Sequence, residues 1–210
     1  GGSMLTLYYA PGACSRASHI ALREAGADFE LREVDFASAE QRGDGYRKIN
    51  PKGRVPTLVT ERGALTENPA ILAWVAQQYP DPGLAPLDDP FEFARMQSFN
   101  SYLCATVHVA HAHSRRGERW ADDAAAIAEM KRKAPEVVAD CFELIENQMF
   151  AGPWVMGEDY TVADAYLFTI AQWLPGHRIN IARYPKIRDH LNRMLQRPAV
   201  KEAIMAEGGR

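Results

Sequence analysis

The chain has 210 residues, 47% apolar and 24% charged, with a formal net charge of −3 and three cysteines. These are globular proportions, long enough for one large core or two small ones, and they exclude a disordered or fibrous chain. A mildly acidic balance without any apolar run of roughly 18–20 residues argues against nucleic acid, anionic membrane surfaces and a membrane span.

Taken in chain order, Leu5–Tyr9 reads as a strand stopped by the turn residues Ala10-Pro11-Gly12. Gly1-Gly2-Ser3 ahead of Met4 reads as a cloning remnant, and Met4–Tyr9 lacks the basic start of a signal peptide. Residues 15–24 predict a helix ending near Gly26, residues 29–36 a second strand, and residues 40–49 a short helix. Residues 57–60 and 64–66 flank Glu61-Arg62-Gly63 as a hairpin, and Asn68-Pro69 opens a helix to about Tyr79 with Asn68 as its N-cap. The order β-α-β-α-β-β-α makes a small α/β domain over residues 4–82. A proline- and acid-rich linker, 83–91, leads to an all-helical domain, 92–210.

In that second domain Met96, Phe99, Leu103, Val107 and Ala110 recur at helical spacing on one long helix, and residues 122–150 repeat the pattern. Thr161 and Asp164 form a capping box. The helix they start is apolar nearly all round, which predicts the buried centre of the domain. Residues 188–196 and 199–206 supply two further helices, divided by Pro198.

Cys14 stands where the first strand hands over to a helix, and a helix N-terminus lowers a thiol pKa. Cys104 and Cys141 lie within helices as core residues, no Cys-x-x-Cys is present, and three scattered cysteines build no disulfide framework. The chain is therefore expected to be reduced and cytoplasmic. Pro56, closing Asn50-Pro51-Lys52-Gly53-Arg54-Val55-Pro56, is a candidate cis peptide that would expose the Val55 backbone as an edge for an extended peptide. Glu67-Asn68 sets a carboxylate beside free helix N–H groups, a pair suited to an ammonium and a carboxylate together. Ser101, Cys104, His108 and His111 fall on one face of a regular helix; with no carboxylate among them, no metal is predicted. Arg115, Arg116 and Arg119 read either as a solvated helix end or as an anion site.

Four stretches taken together, residues 8–15, 50–56, 65–68 and 161–166, resemble the bacterial beta-class glutathione S-transferases over essentially the whole chain. The resemblance implies a thioredoxin-like N-terminal domain, an all-helical C-terminal domain and a homodimer binding glutathione in the cleft. It assigns Cys14 to face the glutathione sulfur, and the Val55 backbone before Pro56 to pair with the cysteinyl portion. Glu67 and Asn68 would grip the γ-glutamyl end, and His108 would reach the sulfur from the helical domain. Three departures, Ser101 for an asparagine, Val109 for a lysine and Ala39-Glu40 where a lysine stands, imply weaker glutathione binding unless Arg54 substitutes. The function so implied is conjugation of glutathione to small electrophiles, a detoxification chemistry. Alternatives are a disulfide oxidoreductase using Cys14 as a single thiol, and a non-catalytic binding protein of the same fold.

Overall fold

The computed structural model describes residues 4–210, so the segment read as a remnant lies outside the described residues. The first half runs β1 (Leu5–Tyr9), α1 (Arg16–Glu24), β2 (Phe29–Glu33), α2 (Asp44–Arg47), β3 (Thr57–Thr60), β4 (Gly63–Thr66) and α3 (Asn68–Gln78). The strands order as β2-β1-β3-β4. β1 and β2 are parallel, with Leu7 beside Leu31, so the chain must cross over between them, and α1 is that crossover. β3 is antiparallel to β1 and to β4, with Leu58 between Leu7 and Leu65. β2 ends three residues earlier than the pattern predicted: Val34 still donates to Tyr9 O, after which the chain turns away through Asp35 and Phe36.

The second half is helical throughout: α4 (Pro90–Tyr102), α5 (His108–Arg115), α6 (Ala124–Leu144), α7 (Val162–Ala171), α8 (Pro185–Met194) and α9 (Pro198–Ala206). Asp89 caps α4 by accepting from the Phe91 and Glu92 amides. Between α4 and α5 the helix does not break; residues Leu103–Val107 form one wide turn of π type. Such a turn holds more residues than an α turn and so rotates everything after it. The apolar stripe survives, since Met96, Phe99, Leu103, Val107 and Ala110 are all buried.

α7 is the centre of the helical half, with all ten residues buried. Its start is the predicted capping box: Thr161 Oγ1 accepts from Ala163 N, and Asp164 Oδ2 accepts from Thr161 N. The core continues from one half into the other. Leu7, Leu58 and Ile71 belong to one buried cluster with Phe142, Ile145 and Tyr166. Ile20 of α1 packs with Phe168 of α7, Met194 of α8 and Val200 of α9. α1 is thus clamped between the sheet and the helical half, and the loop that precedes it is fixed from both sides.

Candidate active site

A cavity of about 450 Å³ opens between the loops at the end of the sheet and the wall made by α5 and α7. Cys14, Arg54, Val55, Pro56, Glu67 and Asn68 line it from the first half, and His108 from the second. Ser101 does not reach it. The π turn between Ser101 and His108 adds residues to the path around the helix, so the two no longer share a face, and Ser101 is exposed. Cys104, expected in the core, is half-buried and lines the cavity.

The loop before Cys14 is held by residues from distant parts of the chain. Gly12, at φ +69, takes a conformation that a side chain would resist. Its N–H donates to Glu207 Oε1 at 3.0 Å, and its carbonyl accepts from Trp173 Nε1 at 3.1 Å. Ser15 Oγ accepts from Ala10 N, which closes the turn into α1.

Cys14 does not carry the acidic thiol expected of a helix start. Its Sγ lies 3.3 Å from Val55 O and donates to it. Burial pushes the thiol up to about 12, with Cys104 and Glu67 adding to the rise and the Cys14 backbone N–H and then Arg54 opposing it. A thiolate would face a carbonyl oxygen here, so the protonated form is favoured.

The Val55–Pro56 peptide is cis, as the sequence suggested. Val55 precedes β3 and lies outside the strand ladder, with its side chain buried and its backbone at the cavity. Tyr46 Oη and Asn50 Nδ2 both donate to Arg54 O, which pins the approach to this edge.

α3 starts one residue away from expectation. Glu67 is the N-cap, at φ 74, and Asn68 is the first helical residue. A non-glycine residue at such a φ costs on the order of 1–3 kcal/mol. The Asn68 side chain is buried and engaged: Oδ1 accepts from Ser18 Oγ at 2.6 Å, and Nδ2 donates to Cys14 O at 2.9 Å. It therefore ties α3 to the Cys14 loop while also lining the cavity, and these two bonds use one of its two amide N–H groups. What this corner offers is the Glu67 carboxylate, paired with Lys52 at 2.6 Å, beside the start of a helix.

On the opposite wall the His111 ring stacks on Trp173 at 4.2 Å between centroids, and His108 packs against the same indole at 5.1 Å. His111 Nδ1 lies 2.7 Å from His177 Nε2, so one of the two nitrogens carries the proton and the other accepts it. Burial pushes His108 down to about 4, aided by Arg119 and Arg54. Burial, His177 and His108 push His111 down to about 3. Both rings are neutral at pH 7. In the unfolded chain they would titrate near 6.5, so between pH 6.5 and about 4 the unfolded state takes up protons that the native state refuses. Stability from this pair is complete above pH 6.5 and is lost as the pH falls. From these two rings, urea titrations are expected to show a loss of about 4–5 kcal/mol between pH 7 and about 4.5. The slope should flatten in a His108→Asn/His111→Phe variant; an unchanged slope would remove these rings as its cause.

Trp173, Gln172 and Glu207 support the site and were not singled out by motif. Glu207 acts across 195 positions of sequence, which no local pattern reports.

Comparison with known proteins bears on this arrangement. The glutathione S-transferase N-terminal domain family matches residues 3–77, and the glutathione S-transferase C-terminal domain family matches residues 104–198. Glutathione S-transferase GstA of Escherichia coli O157:H7 is 34% identical, over 97% of this chain and 99% of that one. A solved glutathione transferase homolog from Sulfitobacter, with bound glutathione, is 44% identical with a TM-score of 0.94, covering 98% of each chain. The bacterial beta-class glutathione S-transferase of Sphingomonas chungbukensis is 36% identical with a TM-score of 0.85, over 97% of this chain and 98% of that one. With both domain families matched in order and full-length relatives above 30% identity, the chain belongs to the glutathione S-transferase family.

Proposed function

We propose that this protein is a glutathione transferase that joins the glutathione sulfur to a small electrophile in the cavity described above, working as a cytoplasmic homodimer. The observation that carries the reading is the Cys14 thiol lining the cavity 3.3 Å from Val55 O, where burial pushes its pKa up to about 12 and favours the protonated form. A thiol held in that state is a poor nucleophile and a serviceable hydrogen-bond donor, so the attacking sulfur is the ligand's.

Glutathione enters with its cysteinyl backbone along the Val55 edge, as an added strand would. Its γ-glutamyl ammonium meets the Glu67 carboxylate, and its α-carboxylate meets the start of α3. Its glycyl carboxylate meets Arg54, the cation at the cavity that compensates for Val109 and for Ala39-Glu40. When the ligand's N–H takes Val55 O, the Cys14 S–H turns to the glutathione sulfur. The neutral imidazole of His108 offers a second donor, and together they favour the thiolate of glutathione over its thiol.

Two measurements test this. Iodoacetamide should label Cys14 at least about a hundredfold more slowly than free cysteine at pH 8, because almost none of it is thiolate. Cys14→Ala should keep glutathione conjugation of chlorodinitrobenzene within about fivefold of wild type, since one donor of several is lost. Rapid Cys14 labelling, with formation of a glutathione mixed disulfide and loss of turnover in Cys14→Ala, would assign disulfide exchange instead.

A further inference from the structure

Four arginines border the cavity: Arg54 on the sheet side, and Arg115, Arg116 and Arg119 at and beyond the end of α5. The only acid in the lining is Glu67, and that carboxylate is ion-paired to Lys52 at 2.6 Å. None of the four arginines has a salt bridge or a side-chain hydrogen bond among the described residues. The nearby Glu118 lies 3.9 Å from Arg42, which is itself outside the lining. A chain of net charge −3 therefore concentrates positive charge at one opening, with Glu118 beside Arg119 as a partial counter-charge. The α5 dipole accounts for a cation in its last turn, Arg115, but not for Arg54 on the facing half. Arg54, Arg116 and Arg119 line the same cavity, and partly exposed Arg119 is pushed down by burial, then by Arg54 and Arg116, with Glu118 opposing.

The surfaces between these cations are flat and aromatic. Trp173 with its stacked His111 forms one wall, and the Arg116 guanidinium lies 6.0 Å over the Phe36 ring. Trp120, 46% exposed, lies on His113 with centroids 3.9 Å apart. A guanidinium pairs with a carboxylate in a planar fork, and a group of them in a concave site draws anions in from solution.

We propose that the second substrate is a planar electrophile carrying a carboxylate, bound between the aromatic wall and the Arg116–Arg119 cluster. This deepens the transferase reading and rests on it for the chemistry. Glutathione itself brings one glycyl carboxylate for Arg54, which leaves the α5 arginines for the partner. For an aryl chloride the step is a substitution: the glutathione sulfur bonds to the ring carbon, the carbon–chlorine bond breaks, chloride leaves with the electron pair, and the thiol proton passes to water.

The test separates binding from turnover. S-methylglutathione, which has no reactive thiol, is held at saturation while dinitrobenzoate and neutral dinitrobenzene are titrated by tryptophan fluorescence quenching. The benzoate is expected to bind at least about tenfold more tightly at about 0.02 M salt, with the preference shrinking to about threefold or less at about 0.5 M as the charges are screened. An Arg116→Gln/Arg119→Gln variant, its fold checked by circular dichroism, should lose at least about fivefold of that preference. Equal binding of the two probes, a preference indifferent to salt, or one unaltered in the variant would each overturn the proposal. In turnover with glutathione, chlorodinitrobenzoate should exceed chlorodinitrobenzene in kcat/KM, each relative to its uncatalysed rate. If neither is conjugated while the benzoate still binds preferentially, the transferase reading fails and the anion-selective cleft stands. If only the neutral chloride is conjugated and the benzoate gains nothing in binding, the transferase reading stands and this inference falls.

Discussion

Asp164→Ala is expected to destabilise the protein by about 3–5 kcal/mol, enough to leave much of it unfolded at physiological temperature. The Asp164 carboxylate is fully buried at the first turn of α7. It accepts from Thr161 N, Val155 N and His190 Nε2, all at 2.8 Å. Truncation leaves two buried amides and a buried imidazole nitrogen without partners and removes half of the capping box. Because α7 is buried on every side and packs against α1, the loss should reach the Cys14 loop as well. Urea denaturation with circular dichroism measures the effect. A loss under about 1 kcal/mol would show that the loop before α7 recruits other acceptors.

Glu207→Ala is expected to cost about 3–5 kcal/mol of stability and, in addition, at least about tenfold in kcat/KM for conjugation. This carboxylate, 1% exposed, stands just past the end of α9 and serves three donors of the first domain. They are Gly12 N at 3.0 Å, Arg16 Nε at 3.2 Å and His19 Nδ1 at 2.6 Å. Arg16 is itself buried and keeps only Gln172 as a further partner, so removing Glu207 strands a cation in the interior. Gly12 is two residues from Cys14, and losing its N–H anchor frees the loop that sets the thiol. A KM that rises together with a falling kcat would mark misplacement of the site. A variant that is less stable but kinetically unchanged would confine Glu207 to holding α9 in place.

Much of this was legible in the sequence because the signals were local. The turn at Ala10-Pro11-Gly12, the hairpin turn Glu61-Arg62 and the Thr161–Asp164 box each depend on neighbours a few residues apart, and each formed where expected. Cys14, Arg54, Val55, Pro56, Glu67, Asn68 and His108 do converge on one cavity. What failed depended on the third dimension. Proximity to a helix start suggested an acidic Cys14, but burial outweighs the help of its own backbone N–H, and the thiol donates to the Val55 carbonyl. Asn68 lines the cavity as its residue type suggested, but its side chain also ties Ser18 to the Cys14 carbonyl, a contact no local pattern reports. The arginines at and beyond the end of α5 read first as a solvated helix end, and Arg115 and Arg119 are exposed; that they line one cavity with Arg54 depends on the fold.

The wide turn at Leu103–Val107 changes how an added residue is felt at the cavity. Each residue of a regular helix advances the chain by about 100° around its axis. A regular helix with the same number of residues across Leu103–Val107 would swing His108, His111 and the arginines behind them by roughly that angle relative to α4. Deleting one residue from the wide turn would restore the regular pitch and leave those groups facing as they do, because the extra residue is absorbed within the turn. The wide turn is therefore what lets the chain carry one more residue between Tyr102 and His108 without turning this wall away from the cavity.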